Sequence, residues 1–279
     1  MSEGTSLLDR IKHFVARENF NLPVLNDACF RLQTFASQED CDLREVESVI
    51  RRDQTLVTEV LRAANSAFFG GLSEITTIRS AVMRLGLQQV VHLVYMASER
   101  SKYRARDPVL APVAQGMWRH ASASAMAMDW LAQRVGQRGR EEAFLAGLLH
   151  NIGELVLVRA LDEFKTAEAP ALTLLPELVD EALTSAHTAL GFDFLGQRRI
   201  PEVYCRIARD HHLETCDAGD SLMAMVRLSD LALRKLGLSM HSDGSLVLAT
   251  TPEAAFLGAD EIMVAEFEVM TEDCVLSLN

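Results

Sequence analysis

Apolar residues in this chain recur at spacings of three and four, and each run is bracketed by residues that start or stop a helix. Leu43, Val46, Val49 and Ile50 fall on one helix face, behind Asp42 and Glu45 at capping-box spacing. Asp53 caps a second run through Leu56, Val57, Val60, Leu61 and Ala64, which Asn65 and Gly70-Gly71 close. Thr77 opens a third run through Ile78, Ala81, Val82 and Leu85, with Gly86 as its stop. A fourth covers about Leu87 to Ser98. The only strand-like fragment, Leu246 to Leu248, is too short to build a sheet. The fold class read from this pattern is all-α.

The stretch from Arg100 to Pro112 is charged and carries Pro108 and Pro112, so it reads as a linker. The expected division is therefore an N-terminal helical lobe over 1–108 and a second helical lobe over 109–279. In the second, helices are expected from Trp118 to Val135 and from Glu141 to His150, the latter broken near Gly153. Pro176 and Pro201 sit where a first helical turn accepts proline, because no amide donor is needed there. They start helices to Leu190, ended by Gly191, and to His212. Further helices are expected from Asp220 to Leu236, ended by Gly237, and from Asp260 to Met270.

With 279 residues and 49% of them apolar, the chain can bury a substantial core. Its formal charge of −12 argues against a general nucleic-acid-binding surface, which needs clustered Lys and Arg. The five cysteines (Cys29, Cys41, Cys205, Cys216, Cys274) are scattered and never form C-x-x-C. That pattern fits a reducing compartment and offers neither a disulfide framework nor a thiolate zinc site. No segment reads as a membrane span, so a cytoplasmic protein without membrane association is expected.

The informative polar groups are those set into apolar helices. His120, His150, His187, His211, His212 and Asp230 each lie inside, or at the edge of, such a run. Imidazole is a common metal ligand, so a convergent set could hold a cation. The same residues could equally form a hydrogen-bonded polar core that fixes helix packing, and spacing does not decide between the two. No Gly-rich phosphate loop, G-x-S-x-G elbow or H-E-x-x-H occurs. Phe68-Phe69 beside Gly70-Gly71 reads as an anchored helix turn, and the methionines at 126, 128, 223 and 225 as core filling.

Leu148-Leu149-His150-Asn151-Ile152-Gly153 resembles the "LLHDIG" core of the HD phosphohydrolase superfamily, with Asn151 in place of the aspartate. Asp53 to Leu56, Leu61 to Gly70 and Ile78 to Gly86 resemble successive signatures of the HDOD family, the HD-related output domains. Trp118-Arg119-His120-Ala121 is similar to that family's "W-x-H-S" region, with Ala121 for Ser. The likeness covers roughly Leu22 to Leu236.

The resemblance implies a bacterial signal-transduction output module, associated with response regulators or cyclic-dinucleotide pathways, that binds a signalling protein or a small phosphate-bearing ligand. It also implies a vestigial metal site: His120, His150, Asn151 and Asp230 at the first position, and His187, His211 and His212 at a second. An active relative's aspartate bridges two cations and helps make a hydroxide nucleophile, which a neutral amide does poorly. The implied protein is a pseudoenzyme with no cofactor expected, a single divalent metal being the exception the set allows. The alternative is a working metal-dependent phosphohydrolase acting on a nucleotide or cyclic dinucleotide. His211-His212 is followed by Leu213-Glu214, and no Gly-Tyr-Pro occurs, which sets the chain apart from the HD-GYP phosphodiesterases.

Overall fold

The computed structural model describes residues 6–17, 20, 43–66, 73–136, 139–213, 219–239 and 241–278. Among these the chain is all-helical, with no strand. The cap at Asp42, the glycines 70 and 71, the aromatic pair 68–69 and Cys29, Cys41 and Cys216 lie outside the described residues.

Two compact units form: Met1–Asn21 with Tyr103–Val275, and Leu22–Lys102 with Leu276–Asn279. The second unit holds helices α2 (Leu43–Arg51), α3 (Gln54–Ala64), α4 (Ile78–Leu85) and α5 (Leu87–Glu99). Their caps follow the sequence. Asp53 Oδ1 accepts the Thr55 amide at 2.8 Å, and Thr77 Oγ1 accepts the Ser80 amide at 3.1 Å. Val46, Ile50, Val60, Ala64, Ala81, Val90 and Val94 build its core. Asn65 ties the chain beyond α3 to Ile75: its Nδ2 donates to the Ile75 carbonyl at 2.8 Å and its Oδ1 accepts the Ile75 amide at 2.8 Å.

The larger unit holds α1 (Leu7–Val15), α6 (Leu110–Arg134), α7 (Arg140–Leu149), α8 (Ile152–Ala167), α9 (Pro176–Gln197), α10 (Glu202–Asp210), α11 (Ser221–Lys235), α12 (Pro252–Phe256) and α13 (Glu261–Ser277). Helix α1 packs on α8, with Ile11 fully buried and Phe14 edge-on to Phe164 at 5.8 Å. The first residues therefore group with the larger unit and not, as a single division at residue 108 would have it, with the helices that follow them.

Three boundaries differ from the sequence reading, each for a physical reason. Helix α6 begins at Leu110 and takes Pro112 into its first turn, where the missing amide costs nothing. Asp107 replaces the expected linker with a cap, its Oδ1 accepting the amides of Val109 at 2.8 Å and Leu110 at 3.3 Å. The helix break expected near Gly153 falls at His150-Asn151, between α7 ending at Leu149 and α8 starting at Ile152, so Gly153 ends no helix, and α9 runs through Gly191 to Gln197. A Cβ at Gly153 would lie 1.8 Å from the His187 carbonyl oxygen and 2.7 Å from the Gly191 nitrogen, so this pair lets α8 and α9 meet at backbone distance. Gly147 does the same for α7 on α6, where a Cβ would lie 2.7 Å from the Ser124 oxygen.

One stretch, Arg140–Ala167, is long and apolar enough to cross a membrane by length and composition, contrary to the sequence reading. It is the α7–α8 pair, and 78% of its most apolar window is buried inside the unit. Core helices pass the same test because both faces are covered.

Candidate metal centre

The two packing glycines flank His150-Asn151, and they decide where both residues stand. Gly147 presses α7 against α6, which carries His120 one turn before Ser124. Gly153 presses α8 against α9 at His187 itself. His211 and His212 follow the end of α10, and Asp230 lies within α11. Six helices thus bring His120, His150, Asn151, His187, His211, His212 and Asp230 into one site within the larger unit. Ligand atoms of His120, His150 and Asp230 lie within 4.8 Å of one another, as do those of His187, His211 and His212. The two groups adjoin at His150 and His211, whose rings are 5.2 Å apart.

Four imidazoles are oriented from outside the site. His120 Nδ1 donates to the Leu238 carbonyl at 3.1 Å and His150 Nδ1 to Gly147 at 2.8 Å. His187 Nδ1 donates to Leu183 at 2.7 Å and His211 Nδ1 to Ile207 at 3.1 Å. A carbonyl only accepts, so each Nδ1 carries the proton and each Nε2 of a neutral ring presents a lone pair inward. This is the outer-shell arrangement that orients metal-binding histidines.

Those inward groups lack donors. The Nε2 atoms of His187 and His211, Oδ1 of Asn151 and Oδ1 of Asp230 are buried without a hydrogen-bond partner. His120 Nε2 stands 3.2 Å from His150 Nε2 and 3.5 Å from Asp230 Oδ1. Asn151 Nδ2 approaches the same nitrogen at 3.3 Å. Two nitrogen lone pairs and a carboxylate oxygen facing one another at these distances repel unless a cation lies among them. Burial, and then the neighbouring His120, push His150 well below the ordinary histidine range, so His150 itself does not take up a proton. Burial, and then His150, do the same to His211. The two-imidazole, one-carboxylate set fits a divalent metal of the zinc or iron type. His187, His211 and His212 offer nitrogen alone, and His212 is exposed.

Two neighbours escaped the sequence reading. Glu154 sits one helical turn beyond Asn151, and burial, followed by the charge of Asp230, raises its carboxyl to about 8. Arg119, beside His120, has its Nε buried without an acceptor. Both line a cavity of about 310 Å³ with His120, Asn151 and Ser239. Their adjacency to His120 and Asn151 was the available signal, but charged helical residues usually face water and gave no reason to look inward.

An all-helical unit closed around a histidine–aspartate group defines the class: an HD-related domain. The model of the HDOD domain matches residues 22–214, and the chain belongs to the HDOD family. An uncharacterized protein of Treponema pallidum (strain Nichols) is 27% identical over 214 residues, 75% of this chain and 39% of that protein. The chain thus spans about two fifths of that relative's length. An HDOD domain protein of unknown function from Geobacter sulfurreducens superposes with a TM-score of 0.71 at 20% identity, covering 97% of this chain and 96% of that one. A candidate metal-dependent phosphohydrolase from Shewanella amazonensis SB2B gives 0.69 at 20% identity, covering 98% of both chains. A candidate signal transduction protein from Marinobacter aquaeolei VT8 gives 0.61 at 21%, covering 96% of this chain and 62% of that one. At these identities the structures establish the shared fold.

Proposed function

We propose that this chain is a regulatory output module that holds one divalent cation through His120, His150 and Asp230 and reports the occupancy of that site to a signalling partner, without turning over a substrate. The observation that carries the reading is the pair of facing Nε2 lone pairs, 3.2 Å apart, beside an Asp230 oxygen that has no donor. Such an arrangement is costly when empty and stabilised when a cation enters. Membership of the HDOD family supports the regulatory half.

Asn151 argues against hydrolysis. When bound, a divalent cation here would supply Lewis acidity and a more acidic water. The chain's own residues then have to fix a second cation and aim the water, and Asn151 offers one neutral carbonyl oxygen for that work. His187, His211 and His212 carry no negative charge to offset a second dication. Asp230 holds the first position, and the backbone carbonyls of Leu238 and Gly147 keep His120 and His150 turned toward it.

Metal analysis of protein purified without chelator tests the reading, alongside the His150→Ala and Asp230→Ala variants. The expected result is about one equivalent of divalent metal in the parent, near none in either variant, and no hydrolysis of nucleoside mono- or triphosphates. Metal-free folded protein would overturn the metal centre and leave the histidines as a polar core. Turnover that His150→Ala abolishes would overturn the non-catalytic half and establish the phosphohydrolase alternative.

A further inference from the structure

The cavity beside the histidine group has its own unexplained cation. Arg119 projects from α6 one residue before His120 and lines the cavity, and its Nε is buried without a hydrogen-bond partner. A guanidinium with a buried, unsatisfied N–H is rare, because the lost hydration is normally repaid by an acceptor. Glu154 lines the same cavity and does not pair with it. We infer that Arg119 anchors the oxyanion of a small ligand in this cavity, whose far end carries a hydroxyl or amino group for Glu154. The inference rests on reading the histidine region as a binding site, but not on the metal being present.

Chemistry and size define the ligand class. The planar fork of Arg matches phosphate and carboxylate in the same bidentate way, so the shared feature is a terminal oxyanion. Glu154 and the Ser239 hydroxyl line the same cavity and offer hydrogen-bonding groups to the rest of the ligand. A volume of about 310 Å³ lies at the small end of ligand pockets. It suits a mononucleotide or a shorter phosphate or carboxylate, and it is too small to enclose a cyclic dinucleotide.

Calorimetric titration of the full chain tests this with four probes: adenosine 5′-monophosphate, inorganic phosphate, acetate and a cyclic dinucleotide. Each is run on chelator-treated protein and on protein whose metal content is measured. The monophosphate, and phosphate or acetate more weakly, should bind. Arg119→Gln should weaken them at least about tenfold, the scale of one lost charged hydrogen bond. Arg119→Lys, which keeps the charge and loses the fork, should fall between. Glu154→Gln should weaken the monophosphate and leave inorganic phosphate unchanged. Unaltered melting temperatures in these variants show that they fold. Preference for phosphate over acetate, or the reverse, identifies the source of the oxyanion. No binding by any of the small probes, binding indifferent to Arg119→Gln, or tightest binding by the cyclic dinucleotide would overturn the assignment. Arg119-dependent binding to metal-free protein upholds this site while removing only the metal reading. Metal without any oxyanion binding does the opposite.

Discussion

Two buried polar clusters in the larger unit solve opposite problems. At the start of α6, the carboxylate oxygens are met by donors from the chain itself. Asp162 accepts the amide of Arg106 at 3.0 Å and that of Asp107 at 2.9 Å, while Asp107 caps α6 and pairs with Lys165. At the histidine group the counts are reversed: apart from Asn151 Nδ2, acceptors face acceptors, and the Nδ1 donors are turned outward to backbone carbonyls. Both clusters are buried among the same helices, so burial alone does not mark function. The balance of donors to acceptors does. The first corner is complete as folded, whereas the second leaves buried acceptors without a partner, which is what the proposed cation would supply.

The largest expected effect breaks the comparison at the histidine end. His150→Ala or Asp230→Ala should lower bound metal at least about tenfold, since each removes one of three ligands. Chelation should lower the melting temperature of the parent by several degrees, because a cation at about a hundred times its dissociation constant stabilises by roughly 2.7 kcal/mol. The same chelator should leave His150→Ala unmoved. Equal chelator shifts in parent and variant, read by differential scanning calorimetry, would place any bound metal elsewhere.

The next effect belongs to the completed corner. Asp162→Ala leaves two backbone amides without their acceptor and should cost about 2–4 kcal/mol in urea denaturation. Metal content should not change. A variant that lost metal as well as stability would show that the two clusters are not independent.

Asn151→Asp sharpens the contrast inside the histidine group itself. It restores a carboxylate between the two imidazole sets and should raise metal content from about one toward about two equivalents. Metal analysis of this variant staying at one equivalent would mean that His187, His211 and His212 are turned away from cation binding for reasons beyond the missing charge.

Much of this was legible in the sequence, and the part that was not has a common cause. Caps are local, so Asp53 and Thr77 could be read directly, and each side chain accepts the amide expected of it. Residue type also marked His120, His150, His187, His211, His212 and Asp230 as polar groups misplaced in apolar runs. Glycine was misread because its two uses look alike in one dimension. Gly86 ends a helix with a positive φ of 82°, whereas Gly153 in the first turn of α8 and Gly191 within α9 are there because another backbone needs their space. Convergence is likewise invisible to spacing: His120 and His150 meet through a glycine contact between α6 and α7 that no periodicity encodes. The outward-turned Nδ1 atoms, which carry the metal argument, depend on carbonyls whose directions only the fold sets.

The smallest effect is a pH dependence that only the completed corner should show. Burial by itself would raise the Asp107 carboxyl, but the Lys165 ammonium and the amides of Val109 and Leu110 outweigh it and hold the group below the ordinary carboxylate range. A carboxylate more acidic in the folded state than in the unfolded one stabilises the fold above its unfolded value, and that contribution is lost as pH falls through the folded value. Asp107→Asn keeps one acceptor for the cap and loses the ion pair, so it should cost about 1–2 kcal/mol at pH 7. Because the parent loses the same contribution in acid, the gap between parent and variant should narrow from pH 4 downward. Urea denaturation at pH 7 and pH 3 measures that gap. A gap that stays constant would mean that the charge on Asp107 contributes nothing to stability, and that its cap geometry alone completes the corner.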